Sequence, residues 1–355
     1  MPMSRYRDIT LTLVRWALGA LFIFSGAVKC VDPVGTSIFV DKYLATYSME
    51  WLMPISESLA VGLSVFEFTL GALLISGVWR RFTALIAVVV LLLFSVITLL
   101  NATVLPIGDC GCFGDAVKLS PWATFLKNII MLPFAITLWR TSDRCRVVAL
   151  RDVVVLVVAL SIPMSVNLYA LAHLPLVDFL PYKVGVNLRE AVANEQNFMR
   201  SILRFRDITT GEIKEYDAME SSCWLDNNLE FVESSLVAKG DAELKYGDFH
   251  MYSDSGEEAT TELLMHNGRI ALLCVNDTTK LSSRTYRGIE TLYDIYPESS
   301  IYIISSKDIS LLNLPYNSTR LYVDAMTLRS IIRADIGVVI LNDGVIEFKA
   351  NIQDL

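Results

Sequence analysis

The run from Phe82 to Leu100 contains no charged side chain, and this constrains the fold more than any other feature. About 20 mostly apolar residues cross the hydrocarbon core of a bilayer. Backbone polar groups must be satisfied internally there, so a single run of this kind is predicted to be a helix. Four more apolar segments predict further spans: Ile9 to Val28, Leu59 to Val78, Trp122 to Trp139 and Val153 to Ala172. Residues 1–174 are therefore predicted to form a membrane all-α bundle of about five transmembrane helices.

The positions of lysine and arginine in the short connections predict the orientation of this bundle, because basic loops are retained in the cytoplasm. Basic residues precede the first span, join the second to the third, and cluster between the fourth and fifth. An amino terminus in the cytoplasm satisfies all three groups. We expect a multi-pass protein of a bacterial inner membrane, with residues beyond about Leu174 in the periplasm. No small-residue cleavage site follows the first span, which is predicted to be retained.

The charge distribution indicates which partners to expect. The chain is 53% hydrophobic with a formal net charge of −8, most of it in the second half. The sequence has no basic stripe or nucleic-acid motif, which argues against nucleic acid as a partner. Membrane lipid and an extracytoplasmic protein client are the partners that we predict.

The second half alternates like a globular domain. Residues 175–240 are predicted to be a linker carrying a β-hairpin, Ser201–Arg206 with Glu212–Tyr216 around Thr210-Gly211. Residues 241–355 are predicted to form an α/β thioredoxin-like domain. Its expected elements are a central strand Arg269–Val275, a strand Ser300–Ile304, a helix Ala325–Arg333, and strands Gly337–Leu341 and Val345–Phe348 around the hairpin signal Asn342-Asp343-Gly344.

Cys110 and Cys112 lie one residue apart in the predicted outer loop Asp109-Cys110-Gly111-Cys112-Phe113-Gly114-Asp115. Disulfides persist in the oxidising periplasm, and a strained, exposed disulfide exchanges more readily than a structural one. The pair is therefore a candidate redox centre. The alternative is a tight turn stapled elsewhere, for example to Cys30 or Cys223, and flanking carboxylates would not activate the thiols. A zinc site has less support, because no further ligands follow at the required spacing.

Glu67 lies inside the predicted second span, where an unpaired carboxylate is costly. Arg15 and Lys29 on the first span are its candidate partners. Glu67 would then serve proton or quinone chemistry beside a thiol relay, or simply form an interhelical ion pair. Asn101 and Asn128 are predicted to form interhelical hydrogen bonds.

The remaining cysteines and histidines suggest no further site. Cys274 is expected to be a small buried hydrophobe, Cys145 has no evident partner, and Cys223 is expected to lie buried beside Trp224. His173, His250 and His266 are isolated along the chain, so no metal or triad is predicted.

The first half resembles the DoxX-like and MauE-like family of redox-associated membrane proteins. The matching marks are Phe24-Ser25-Gly26-Ala27-Val28-Lys29 with Asp32-Pro33, Glu67 followed by Leu70-Gly71-Ala72, and Cys110 to Asp115. The whole chain resembles a Bacteroidetes-type fusion of this unit to a thioredoxin-like tail. The tail departs from a working thioredoxin: Asn276-Asp277-Thr278-Thr279 stands in place of Cys-x-x-Cys, and Ile336 in place of the usual proline.

The resemblance implies a membrane accessory factor in extracytoplasmic thiol–disulfide exchange or electron transfer. Cys110, Cys112 and Glu67 are its candidate catalytic residues, and a quinone is a conceivable acceptor, although no binding motif identifies one. The alternative is a non-enzymatic scaffold or assembly factor whose redox-inert tail binds a client. A transporter has less support, because the spans contain no evident inverted repeat.

Overall fold

A computed structural model describes residues 2–104, 111–142, 149–208, 213–217, 228–238, 245–279, 282–297, 300–307 and 318–355. Cys110, Cys145, Cys223 and the turn at Thr210-Gly211 lie outside these described residues. The chain divides into two compact units, Met1–Leu180 and Pro181–Gln353.

The first unit is a helical bundle. Five of its helices are long and apolar enough to cross a membrane, which confirms the predicted number of spans. The helices are α1 (Pro2–Val31), α2 (Pro33–Thr46), α3 (Ser56–Ser76), α4 (Arg80–Thr103), α5 (Pro121–Thr141) and α6 (Leu150–Ala172), and a 3-10 turn, Glu50–Ile55, precedes α3. The short helix α2 was not predicted. It begins where the Asp32 carboxylate accepts a hydrogen bond from the Gly35 amide, with Pro33 in the first turn.

Helices α1 and α3 pack closely because glycines line their interface. A Cβ atom built on Gly71 would lie 2.5 Å from the carbonyl oxygen of Gly19 and 2.6 Å from the amide nitrogen of Ile23. Gly26 is similarly pressed against the backbone of Phe68. Small residues allow membrane helices to approach to backbone contact, where dispersion replaces the hydrophobic effect as the packing force. This contact fixes the register of α1 against α3.

The second unit contains a three-stranded antiparallel sheet and a six-stranded mixed sheet. The small sheet has the order β2-β1-β3, from β1 (Met199–Asp207), β2 (Ile213–Asp217) and β3 (Leu229–Ala238). The predicted pairing of β1 with β2 is present, with Arg204 opposite Glu215. Helix α7 (Leu188–Phe198) leads into β1.

The large sheet has the strand order β4-β7-β6-β5-β8-β9. Strand β5 is central, parallel to β6 and antiparallel to β8, and β8 and β9 form the closing hairpin. The elements are β4 (Tyr252–Ser253), α8 (Thr260–Met265), β5 (Arg269–Val275), α9 (Ser283–Ile295), β6 (Ile301–Ser305), β7 (Thr319–Tyr322), α10 (Ala325–Ile331), β8 (Ile336–Asn342) and β9 (Val345–Asn351). The predicted α/β class is confirmed, although α8 and β7 were not predicted.

The core of this unit lies where α9 covers the sheet. Alternate residues of the central strand, Ala271, Leu273 and Val275, are buried against Ile289 and Leu292 of α9. Strand β5 is buried from Ile270 to Val275, which explains why its sequence is a continuous apolar run rather than an alternating one.

Candidate functional site

The described part of the cysteine loop, Gly111 to Gly114, forms a tight turn. The Gly114 amide donates to the Gly111 carbonyl at 3.1 Å, and both glycines have positive φ, +62° and +52°. Glycine adopts this conformation without the steric cost that a side chain would add. A Cβ atom on Gly111 would also lie 2.9 Å from the ring of Phe39. Gly111 therefore brings the loop backbone directly against α2.

Phe113 anchors the other side of this turn. Its ring is buried, lies 5.3 Å from the ring of Phe24 between centroids, and has the Lys127 Nζ atom 4.5 Å from its centroid. An aromatic contact and a cation–π contact thus fix the residue next to Cys112 against α1 and α5. Cys112 itself is half-buried.

A buried ion pair lies directly beneath Cys112. Lys29 Nζ is 2.7 Å from Glu67 Oε2, and the two side chains are 3% and 2% exposed. Ser25 Oγ lies 2.7 Å from the same Glu67 oxygen, and its single proton can be donated either to this oxygen or to the Cys112 carbonyl. Because Ser25 and Lys29 are four residues apart, α1 presents both on one face, toward Glu67 on α3.

The same cluster also binds the backbone of the cysteine loop. The carbonyl oxygen of Cys112 lies 2.6 Å from Lys29 Nζ and 2.6 Å from Ser25 Oγ. The Lys29 ammonium has three protons, and its three acceptors are Glu67 Oε2, Ser25 Oγ at 2.8 Å and this carbonyl. A buried charge is tolerated where it is both paired and fully hydrogen-bonded. The ion pair therefore holds Cys112 in place from inside the bundle.

This arrangement selects between the two predicted partners of Glu67. Lys29 pairs with it, whereas the Nε atom of Arg15 has no hydrogen-bond partner among the described residues. Ser25 was not predicted as part of the site. Its spacing from Lys29 was the signal that could have identified it, since residues at i and i+4 share a helix face.

The two asparagines that were predicted to bridge helices behave differently. Asn101 Oδ1 accepts a hydrogen bond from the Tyr47 hydroxyl at 2.9 Å, so it links α4 to the residue that ends α2. Asn128 is buried, and its Nδ2 atom has no partner among the described residues. It lines a small cavity of about 20 Å³ together with Ser25, Glu67 and Cys112. The prediction is confirmed for Asn101 alone.

A larger cavity of about 270 Å³ adjoins the ion pair. Its walls come from α1, α2, α3, α4 and the cysteine loop, and most of the lining residues are apolar. Aromatic rings supply much of the surface, from Phe39, Tyr43, Tyr47 and Phe94. Lys29, Glu67 and Cys112 form one side of the cavity. Sequence reasoning did not identify this cavity, whose lining residues are far apart along the chain.

Cys30 is a buried free thiol in this structure, next to Lys29 on α1. It lies in hydrogen-bonding contact with Ser64 and Asn167 on α3 and α6. Asn167 Nδ2 in turn donates to Ser64 Oγ at 3.1 Å. Cys30 thus belongs to a polar contact among three helices and does not bridge to the cysteine loop here.

In the second unit, the segment after β5 is held by the chain that leads into β8. The amides of Asn276 and Asp277 both donate to the carbonyl of Asp335, at 2.8 and 3.1 Å. The Asn276 side chain donates to the carbonyls of Ala334 and Ile332, at 2.8 and 3.3 Å. Asn276, the first residue after β5, therefore has a structural role.

Cys274, the last cysteine of the described chain, is completely buried in β5. Desolvation raises the pKa of this thiol to about 12, because burial penalises the thiolate. Such a thiol is inert as a nucleophile at neutral pH. The histidines also form no cluster: within the described residues, no group of three or more His, Cys, Asp or Glu could hold a metal ion.

Together these features define a multi-pass helical membrane protein with a cysteine loop anchored on a buried ion pair. Residues 7–141 match the family model described as Methylamine utilisation protein MauE. This part of the chain is similar to that family of membrane proteins. No curated protein and no solved structure matches the chain.

Proposed function

We propose that the protein is a membrane accessory factor in extracytoplasmic thiol–disulfide exchange, with Cys110 and Cys112 as its exchanging pair. The observation that carries this proposal is the position of Lys29 Nζ and Ser25 Oγ, which each lie 2.6 Å from the Cys112 carbonyl oxygen. A buried ion pair is rarely a gain in stability by itself. Here Lys29 of the ion pair also donates to the backbone carbonyl of Cys112, which argues for a role in positioning that residue.

Glu67 supports this site through Lys29. It holds the ammonium that orients the loop, so we assign it as a positioning residue rather than a group that contacts the exchanging sulfur atoms. The proposed location is a bacterial inner membrane, with the amino terminus in the cytoplasm and the cysteine loop on the periplasmic side. The basic connections predicted this orientation.

The test is thiol trapping in intact membranes with an impermeant, mass-shifting maleimide, before and after mild reductant. We expect Cys110 and Cys112 to be oxidised at first and readily reduced, and Cys145 to stay unlabelled. A mixed disulfide with another protein should accumulate in either Cys110→Ser or Cys112→Ser. Thiols that are permanently free, or a bond that resists mild reductant, would refute the exchange.

A non-enzymatic scaffold is the second candidate, and one observation favours it. The hydrogen bonds of Asn276 occupy the place of the thioredoxin dithiol in the second unit, whose parallel β5–β6 pair and closing hairpin suit a thioredoxin-like domain. In this reading the tail binds an extracytoplasmic client and performs no exchange. Recovery of the same client from the Cys110→Ser/Cys112→Ser double variant, with no loss of client maturation, would favour the scaffold.

A further inference from the structure

The cavity beside the ion pair is suited to a ligand of definite chemistry. Its volume, about 270 Å³, is close to the lower end of small-molecule sites, which run from about 300 to 1,000 Å³. We propose that it binds the ring of a lipid-soluble quinone, which accepts the electrons of the cysteine pair. This inference rests on the proposed function, because it names the oxidant that this function requires.

The charge on the cavity wall favours a neutral ligand. Lys29 and Glu67 are the charged side chains among the lining residues, and they neutralise each other at 2.7 Å. The three protons of Lys29 are engaged by Glu67, Ser25 and the Cys112 carbonyl. An anionic ligand would therefore have to break the ion pair and leave a buried charge uncompensated, which is costly.

The aromatic lining favours a flat ring over a lipid tail. Phe39 and Tyr43 on α2 and Phe94 on α4 each contribute a ring to the wall. Aromatic faces and edges pack against another ring system with defined geometry and an energy beyond simple area burial. An acyl chain has no ring that could pack in this way, and it needs no polar groups in the wall of its binding site.

The position of Cys112 on the same wall supplies the chemistry. When a cysteine pair is oxidised, two S–H bonds break and one S–S bond forms, which releases two electrons and two protons. A quinone takes up both electrons and both protons as its two carbonyl oxygens become hydroxyl groups. The exchange is balanced, and the reduced ring carries no charge out of the membrane.

The first test is binding of ubiquinone-1 to the purified full-length chain in detergent. Val40 on α2 lines the cavity, and Val34 on the same helix, also partly exposed, does not. We expect saturable binding that Val40→Phe weakens by about tenfold or more, because the added ring fills the cavity. Val34→Phe should bind as the parent chain does. Absent binding, equal loss in both valine variants, or full displacement by oleate would overturn the quinone site.

The second test is a single turnover. The chain is reduced, freed of reductant and mixed with ubiquinone-1, and the ultraviolet absorbance of the quinone is followed. We expect about one hydroquinone per chain and none from Cys112→Ser. Binding without reduction would overturn the electron transfer from the cysteine pair to the quinone. Thiol exchange in membranes without ubiquinone-1 binding would instead overturn this inference and leave the proposed function standing.

Discussion

Lys29 Nζ and Glu67 Oε2 lie 2.7 Å apart, with both side chains almost completely buried. Glu67 lies near the middle of α3 (Ser56–Ser76), whereas Lys29 lies in the last turn of α1 (Pro2–Val31). Charged residues inside membrane proteins are expensive and commonly functional. Here the two charges are compensated by each other and by neighbouring polar groups. Ser25 Oγ lies within hydrogen-bond distance of Glu67, and Lys29 donates to the Cys112 carbonyl, so the buried pair is connected to the cysteine loop.

The first prediction concerns the two halves of this pair. Glu67→Leu or Lys29→Met leaves the other charge buried without its partner, and we expect each to lower the free energy of unfolding by about 3–5 kcal/mol. The double variant Lys29→Met/Glu67→Leu should be clearly more stable than either single variant. Unfolding of the purified protein in detergent measures this.

Lys127→Met is the control for the ion pair, because Lys127 is partly exposed and contacts the Phe113 ring rather than a carboxylate. We expect it to cost less than about 1 kcal/mol. Additive losses in the double variant would show that Lys29 and Glu67 do not act as a pair.

The second prediction concerns the α1–α3 contact. Gly71→Ala places a methyl group 2.5 Å from the Gly19 carbonyl oxygen, against backbone that cannot yield, so the helices must separate. We expect a loss of about 1–3 kcal/mol in stability. Gly62→Ala on the same helix is the matched control, because nothing lies within 4 Å of its added Cβ atom. That variant should be neutral or slightly stabilised by the better helix propensity of alanine. Equal effects in detergent unfolding would contradict this packing.

The spans could be predicted because the bilayer demands a fixed apolar length, and each predicted segment meets it. The ion-pair partner of Glu67 could not be predicted in this way. Arg15 and Lys29 are 14 residues apart on one helix, which is about 21 Å along its axis. Choosing between them requires the depth of α1 relative to α3, and the close approach of Gly26 to Phe68 sets that depth. The helical periodicity of the sequence does not determine the depth of α1 relative to α3.

The same limit applies to the cavity and to strand β7 of the second unit. Five separate segments build the cavity, so no local pattern marks it. Strand β7 has only four residues, with Arg320 and Tyr322 alternating with buried Leu321, too short a pattern to identify in isolation. Strand β5 was predicted with its observed bounds because it is fully buried and flanked by turn residues.

The third prediction concerns Ser25. Ser25→Ala removes the hydroxyl that lies 2.6 Å from the Cys112 carbonyl oxygen and can donate to it, so the loop should open more often. After reduction, we expect maleimide to label Cys112 about two- to tenfold faster than in the parent chain, as the loss of one hydrogen bond implies. Ser95→Ala is the control, because the Ser95 hydroxyl bonds only within its own helix, to Leu91, among the hydrogen bonds of the described residues. Labelling is quantified by mass spectrometry in detergent. Unchanged labelling would show that Ser25 does not hold the loop.

The fourth prediction concerns Cys274 and alkaline pH. Burial raises the pKa of its thiol to about 12, whereas an exposed cysteine in the unfolded chain titrates near 8.5. Between these values the folded state retains a proton that the unfolded state has lost, so stability falls as pH rises. The contribution is fully present below about pH 8.5 and is lost progressively toward pH 12.

Cys274→Ala isolates this contribution, because alanine does not titrate and every other ionising group is shared by the two chains. The parent chain should lose about 1–2 kcal/mol relative to Cys274→Ala between pH 8 and pH 10. Urea unfolding of the full-length protein, followed by mass-spectrometric labelling of a reporter thiol substituted at Ser305 in both chains, measures the difference. Ser305 is buried, so the reagent reaches the reporter only after unfolding, and both chains carry the same substitution. A stability difference that stays constant over this pH range would mean that Cys274 reaches water in the folded protein, contrary to its burial in the central strand.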